Sequence, residues 1–348
     1  MAEVPPGFWT VLAFVAGSAV GSFLNVVIYR LPRGESLVSP GSRCPQCGHA
    51  LRAFENVPIV SFLALRARCS QCRQPISWRY PLVEAATGAL FAVIVAHFGA
   101  GWQALVYCLF TAALVAALFI DLELYIIPDE LTAFALAVAV VYDVTMVAGG
   151  DAAHALWWGW LPRSIGGAVV CAAAFVAIQL IGLALFRKDS MGDGDVKLGR
   201  AIGAMLPLGA AFVSFALAIA LGAVVGTAIV VQRLLTGRAR ADADAGGMEA
   251  EPEPDATPFR EVLACGAAYV FFVDLIAMVA AKAGAGWARR MLQSDGEAPL
   301  EVDDGFRPGL THVPFGPYMV VGALLAMFVG SDLLDWYLNW AFPAPPGL

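Results

Sequence analysis

Two aspartates stand where long apolar stretches of the sequence end or begin. Asp121 closes one apolar run, and Asp195 opens another within the stretch Met191–Leu198, which reads MGDGDVKL. A carboxylate at the edge of a membrane-length segment is costly to desolvate, so a functional role is the first hypothesis for both. Two carboxyls brought close together cannot both ionise easily, and such a pair shares one proton. A pair of this kind can draw a proton from water while polarising a scissile carbonyl, which gives a gem-diol without any metal or covalent acyl-enzyme.

Simpler roles exist for these acids. Asp195 can serve as the N-terminal cap of a helix, where the helix dipole favours a negative charge. Asp129, which follows Pro128, is also placed to cap the next helix. The physics of the sequence does not decide whether Asp121 or Asp129 is the partner of Asp195.

The residues around Asp195 predict a substrate loop. Gly192 and Gly194 permit backbone conformations that are closed to other residues, and they leave room for a substrate strand to approach. Lys197 follows directly and can steer an anionic group. Taken alone, however, a G-x-G-D motif has little specificity.

Four of the seven cysteines form two C-x-x-C pairs, Cys44 with Cys47 and Cys69 with Cys72. Two such knuckles supply the four thiolates of a closed tetrahedral Zn²⁺ site, which leaves no position for a catalytic water. The predicted role is therefore structural, because metal binding can supply the folding free energy of a short loop. The alternatives are two incidental pairs or two disulfides. His49 is expected to be exposed rather than a ligand.

The composition indicates a membrane protein. Of the 348 residues, 59% are hydrophobic and 14% are charged, whereas soluble domains have about 45–50% apolar and about 25% charged residues. Many runs reach the roughly 20 apolar residues that a helix needs to cross a bilayer. The predicted fold class is an all-α polytopic membrane protein with about eight transmembrane helices and a small zinc-binding cytoplasmic lobe.

The distribution of charge predicts the topology. The stretch from Arg30 to Tyr80 holds eight Arg, no Lys and two acids, so the positive-inside rule places it in the cytoplasm. Counting spans onward puts Asp121 and Asp195 at the cytoplasmic face too. The predicted regions are a first transmembrane helix at 1–29, the Cys lobe at 30–80, a transmembrane catalytic region at 81–235, an inserted linker at 236–312 and a last transmembrane helix at 313–348.

Two apolar stretches are less regular. The run Val196–Leu235 is too long for one helix, and Pro207 predicts a break between spans at about 196–208 and 211–232. The apolar segment at 262–281 either crosses the membrane once or forms a re-entrant pair of half-helices. We favour the pair.

Five stretches carry further motifs: GSFLNVVIYRLP at 21–32, the Cys-containing stretch at 44–84, DLELYIIPDELT at 121–132, MGDGDVKLGRAIGA at 191–204 and PFGPYMVVGALLA at 314–326. Together and in this order they resemble the type IV prepilin peptidases, a family of prepilin leader peptidases and N-methyltransferases. The resemblance covers most of the chain outside 236–312, a segment longer than the family's usual connection before PFGP.

The resemblance implies a G-x-G-D aspartyl protease in which Asp121 and Asp195 match the two catalytic aspartates, which decides against Asp129. It also implies a zinc-binding lobe, substrates that are type IV prepilins or pseudopilins, and a site at the cytoplasmic face of the bacterial inner membrane. Members with the Cys lobe then methylate the new N-terminus with S-adenosylmethionine. Glu84, in a Y-P-x-x-E stretch, is the candidate residue for cofactor binding at the methyl-transfer site or for substrate binding, or else a residue at an interfacial helix end.

A different class of function is compatible with the residues. In a proton- or cation-coupled transporter, Asp121 and Asp195 would relay protons or bind a cation. Transporters place such acids near the midplane of the bilayer, whereas these lie at span ends. A non-catalytic scaffold would keep its function after Asp121→Asn. Membrane lipid is an expected partner, while the net charge of −7 offers no basic patch for nucleic acid.

Overall fold

The chain folds almost entirely into helices. The computed structural model describes residues 5–155, 162–187, 191–235, 258–285, 288 and 314–342. Within these ranges no β-strand occurs, and there are isolated β-bridges only. The α-helices of the described residues are α1 Pro6–Arg30, α2 Val60–Ala64, α3 Arg79–Phe98, α4 Trp102–Leu124, α5 Asp129–Ala148, α6 Arg163–Phe186, α7 Asp193–Met205, α8 Leu208–Leu235, α9 Phe259–Val270, α10 Val273–Lys282 and α11 Gly316–Ala341.

Seven helices of the described residues are long and apolar enough to cross a membrane, namely α1, α3, α4, α5, α6, α8 and α11. The pair α9 and α10 passes the same test together but is bent by 81° at its break. The all-α fold class with about eight spans is therefore confirmed. The two half-helices favoured for 262–281 are present, and their course through the membrane stays a prediction. The rest of the predicted linker at 236–312, except residues 258–261, 282–285 and 288, lies outside the described residues.

The span expected at 196–208 is wrong. These residues form α7, which has 13 residues and is about 20 Å long, short of the roughly 30 Å hydrocarbon core. The helix starts earlier than expected because Gly192 is its N-cap. It ends before Pro207, whose ring cannot continue a helix, so the break predicted there is confirmed.

The first compact unit comprises residues 1–164 and 296–307, and its described part contains α1 to α5. Small residues let α1 and α3 pack with their backbones close together. A Cβ on Gly21 of α1 would lie 2.7 Å from Glu84 Cα, and one on Gly88 of α3 would lie 2.9 Å from Phe14 O. The most buried of the seven candidate spans is α4, the helix that carries Asp121.

The second compact unit comprises residues 165–295 and 308–348, and its described part contains nearly all of α6 together with α7 to α11. In this unit α8 packs against α11, where Gly322 lies directly on the backbone of Ser214. A Cβ on Gly203 of α7 would lie 2.6 Å from Gly167 O of α6. Because neither glycine has a side chain, α7 can lie against α6 at backbone contact distance.

Candidate functional site

The four cysteines of the predicted metal site come together in the first unit. The Sγ atoms of Cys44, Cys47, Cys69 and Cys72 all lie within 4.8 Å of one another. The sulfurs of Cys44 and Cys72 are 3.9 Å apart, and two thiolate ligands of a tetrahedral Zn²⁺ are separated by about 3.8 Å when the Zn–S bonds are about 2.3 Å. All four cysteines are free, so the disulfide alternative is wrong. The cluster can hold one Zn²⁺ ion.

Each C-x-x-C pair lies on a knuckle with the same backbone pattern. The amides of Cys44 and Cys69 each donate to the carbonyl five residues later, in both cases at 2.9 Å. The residue after each second cysteine has a positive φ, 71° at Gly48 and 62° at Arg73. The amides of Cys72 and of the residue before it lower the pKa of the Cys69 thiol to about 6, which favours the thiolate that a metal requires.

His49 lies beside the first knuckle and contacts a carboxylate instead of the sulfurs. Its Nε2 atom is 3.2 Å from Glu55 Oε2, and its side chain is half-buried where exposure was expected. Hydrogen bonds from Ser70 and from the Arg52 amide lower the pKa of Glu55 to about 2, so this carboxylate is ionised at neutral pH. The ionised Glu55 thus orients His49 next to the metal knuckle.

Asp121 lies in the last turn of α4, and its side chain is 5% exposed. The helix ends at Tyr125, which has a left-handed φ of 59° and donates its amide to Asp121 O at 3.0 Å. A carboxyl at this position is buried near the negative end of the helix dipole, which does not favour a negative charge. Asp129 is the first residue of α5 and Pro128 is the N-cap, so the cap expected at Asp129 is misplaced by one residue.

Asp195 lies in the first turn of α7 and is half-buried. Burial raises the pKa of its carboxyl to about 6, although the amide of Gly192 donates a hydrogen bond that acts in the opposite direction. The capping alternative is therefore met in part, because Asp195 bonds to the amide of the N-cap residue without being the N-cap itself. A carboxyl with this pKa exchanges protons near neutral pH, as general acid and base catalysis requires.

The predicted substrate loop has another conformation. Gly192 has φ −71° and ψ 149°, values open to any residue, and Gly194 is helical within α7. The conformational reason for these glycines is therefore wrong, and what Gly192 provides is space: among the described residues, a Cβ there would meet only Asp195 Oδ2 within 4 Å, at 3.8 Å. Lys197 is buried in α7, with Nζ 5.1 Å from the centroid of the Tyr269 ring, instead of lying on a loop.

Gln179 of α6 supports the approach to α7, and the sequence analysis did not single it out. Its Nε2 donates to Met191 O and to Asp193 Oδ1, both at 3.1 Å. The side chain is buried. The signal in the sequence is a lone amide within the apolar run of α6.

Asp121 and Asp195 belong to different compact units, so their pairing stays a prediction.

Glu84 is held inside the first unit by the loop that precedes α2. The amide of Ile59 donates to Glu84 Oε2 at 2.7 Å, and the hydroxyl of Ser22 also bonds to this carboxylate. Ile59 has a φ of 61°, which is uncommon for a β-branched residue. Glu84 is 8% exposed and lies beyond the first turn of α3, so the alternative of an interfacial helix-end charge is wrong.

A cavity of about 370 Å³ lies in the first unit beside Ser22. The residues that line it include Phe23, Val26 and Arg30 of α1 and Asn56 of the loop that follows. Sites for small molecules have volumes of about 300–1,000 Å³. The cavity is therefore large enough for part of a cofactor, and Ser22 links it to Glu84.

Two family models match the chain. The bacterial peptidase A24 N-terminal domain matches residues 15–98, and the type IV leader peptidase family matches residues 108–227. The first range contains the four cysteines and Glu84, and the second contains both aspartates. No solved structure matches the chain.

Several curated relatives share the name prepilin leader peptidase/N-methyltransferase. The protein of Myxococcus xanthus is 34% identical over 94% of this chain and 93% of its own length. The protein of Burkholderia pseudomallei is 35% identical over 78% of this chain and 87% of its own length. The protein of Pseudomonas putida is 36% identical over 64% and 81%. None of these names supports the transporter alternative.

Proposed function

The chain belongs to the type IV leader peptidase family, and from this premise we propose that it is a membrane aspartyl endopeptidase that removes the leader from type IV prepilins or pseudopilins. It then methylates the new N-terminus. The observation that carries the proposal is the 34% identity over 94% of the chain with a relative named for both activities.

In the proposed mechanism Asp121 and Asp195 share one proton. The ionised carboxylate takes a proton from water, and the water oxygen attacks the scissile carbonyl carbon. The other carboxyl donates its proton to the carbonyl oxygen, which gives a gem-diol. When the gem-diol collapses, the C–N bond breaks, the carboxyl that took the water proton gives it to the leaving nitrogen, and the other carboxylate takes a proton from one hydroxyl of the gem-diol. The pKa of about 6 at Asp195 supports a proton-holding role, and a second carboxylate nearby would raise this pKa further.

The proposed substrate has a hydrophobic helix in the bilayer and a basic leader in the cytoplasm. Catalytic carboxyls at the ends of apolar stretches suit a scissile bond at the boundary between these two parts. An acidic site also attracts a leader rich in Lys or Arg. The active site is accordingly proposed at the cytoplasmic face of the bacterial inner membrane, with the Arg-rich loop at 30–80 on the same side.

We propose Zn²⁺ at the four cysteines as a structural ion. Four thiolates fill a tetrahedral shell, so the ion has no open position for water and takes no part in peptide hydrolysis. Its contribution is to fold the lobe, which has few buried apolar residues of its own. In the described part of the loop at 31–78, the buried apolar side chains are Pro32, Phe62 and Cys69.

S-adenosylmethionine would supply the methyl group, and we place its binding at the cavity beside Ser22. Glu84 would act at the edge of this site, where a carboxylate can accept the α-amino group of the cut pilin. Arg30 and Asn56 line the cavity, and the Arg30 guanidinium, which already donates to Ser36 O and Pro40 O, supplies a positive charge that would attract the carboxylate of S-adenosylmethionine. Glu84 lies on α3, whereas Asp121 lies on α4 and Asp195 on α7.

The test uses purified protein in detergent with a prepilin that carries its basic leader. Wild type is expected to cleave it, whereas Asp121→Asn and Asp195→Asn lose cleavage and retain methylation of a pilin that has already been cut. Glu84→Gln is expected to retain cleavage and lose methylation. Asp335→Asn is the matched control, because Asp335 is exposed on α11.

Each outcome decides one part of the proposal. Full cleavage by either aspartate variant would reject the protease mechanism. Failure of the wild type to cut any prepilin, under conditions where it retains zinc, would reject the proposed function. Normal methylation by Glu84→Gln would remove Glu84 from the methyl-transfer site and leave the protease part intact.

A further inference from the structure

A buried ion pair joins α7 to the bent helix pair α9 and α10. Arg200 of α7 is 1% exposed, and Asp274 of α10 is 4% exposed. Nη1 and Nη2 of Arg200 donate to Oδ1 and Oδ2 of Asp274 at 2.8 Å and 2.7 Å. Parallel hydrogen bonds of this kind fix the relative orientation of two groups as well as their distance.

The same guanidinium spans the break between the two half-helices. Nη1 of Arg200 also donates to Tyr269 O at 2.9 Å, in the last turn of α9, where helix carbonyls lack helical partners. Asp274 lies in the first turn of α10, where the dipole favours a carboxylate. Between them Phe272 has a φ of 60°, and the helix axes turn by 81°. Arg200 therefore binds a carbonyl at the end of α9 and the carboxylate in the first turn of α10, and so connects the two half-helices across the break.

A second residue on the same face of α7 contacts the bent pair. Lys197 precedes Arg200 by three residues, so both side chains project from one side of the helix. The Lys197 Nζ lies 5.1 Å from the centroid of the Tyr269 ring. Next to this face, α7 lies against α6 through Gly203 and Gly199. The short helix is thus held between α6 and the bent pair, and Asp195 is in its first turn.

We propose that Arg200 is a positioning residue for Asp195. By tying α7 to both halves of the bent pair, Arg200 fixes the location of the first turn of α7 and of the carboxyl that this turn carries. The bent pair then helps to hold α7 in position, in addition to any role as a membrane segment. This inference rests on the proposed catalytic function of Asp195.

The test replaces the ion pair with apolar side chains of similar volume, in the double variant Arg200→Met, Asp274→Leu. A double replacement leaves no charge unpaired, and such exchanges are often neutral for stability. We expect kcat for prepilin cleavage to fall about tenfold to 100-fold, since a displacement of roughly 1 Å at a catalytic group can have this effect. KM is expected to be unchanged, and the pH profile of kcat is expected to shift. The control is Arg163→Met, which removes a 3.3 Å contact between Arg163 Nε and Asp143 Oδ1 elsewhere.

A structural role alone would lower the yield and the melting temperature without moving the pH profile. A folded double variant with the kcat and the pH profile of the wild type would therefore overturn the inference. If the double variant does not fold, Arg200→Lys keeps the charge and loses the two-pronged contact. It is expected to show the same shift with a smaller loss of kcat, and a wild-type profile would again overturn the inference. Retained cleavage by Asp195→Asn would instead reject the proposed catalytic function of Asp195, on which this inference rests.

Discussion

The variant Gly203→Ala is expected to displace the helix that carries Asp195. A Cβ at Gly203 would lie 2.6 Å from Gly167 O and 2.6 Å from Cys171 Cβ, and it would also meet Cys171 Sγ. Ordinary contact begins at 3.4 Å, so α6 and α7 must separate by 3.4 − 2.6 = 0.8 Å. Overpacking of this degree costs about 1–3 kcal/mol. A shift of roughly 1 Å at a catalytic residue can reduce the rate about 100-fold.

The assay compares Gly203→Ala with Gly226→Ala, a matched change in the helix α8. In the part of the chain that the structure describes, a Cβ at Gly226 meets nothing within 4 Å, and Ala is favoured over Gly in a helix by about 1 kcal/mol. We measure kcat for prepilin cleavage and the apparent melting temperature in detergent. Gly203→Ala is expected to lower both, and Gly226→Ala neither. Equal kcat and equal melting temperature in the two variants would refute the argument that backbone contact between α6 and α7 positions Asp195.

Two further predictions concern the metal site and the pH dependence of stability. Cys69→Ser is expected to reduce bound zinc from one ion per chain to none and to make the lobe at 31–78 sensitive to protease; a metal-free wild-type lobe that resists protease would contradict this. The pKa of Asp195 rises from 3.8 to about 6 on folding, so the folded state loses stability as pH rises through this interval and does not regain it above. Asp195→Asn lacks this loss and is expected to be more stable than wild type at pH 8 by about 1 kcal/mol, after discounting a nominal maximum of about 3 kcal/mol because the side chain is only half-buried. The two proteins should melt alike near pH 4, and a pH-independent difference would show that burial of the charge is not the cause.

The sequence was most informative where residue types and spacing repeat a simple rule. Long apolar runs correctly predict the spans, because a helix must be apolar over about 20 residues to cross a bilayer. The two C-x-x-C pairs correctly predict the cluster of Cys44, Cys47, Cys69 and Cys72, because each knuckle folds on local hydrogen bonds. Pro207 correctly predicts the break before α8, because a proline ring cannot continue a helix.

The errors fall where contacts between distant parts of the chain decide the structure. Residues 196–208 are apolar enough to suggest a span, yet α7 is a short helix that meets α6 and the bent pair. Arg200 and Asp274 form an ion pair although they are 74 residues apart along the chain. Its signal is a lone Asp in the apolar segment 262–281 and an Arg three residues after Lys197 in α7, and spacing alone does not connect them. Gly192 shows that a glycine motif can provide space without an unusual backbone conformation.

The central claim is that Asp121 and Asp195 meet at one site. Its most direct test is the double variant Asp121→Cys, Asp195→Cys, treated with a short thiol-reactive cross-linker, with Cys108, Cys171 and Cys265 replaced by Ala. Peptide mass spectrometry is expected to find a link between positions 121 and 195 within one chain, and each single Cys variant should give none. Absence of that link in protein that retains its zinc and its melting temperature would contradict the account.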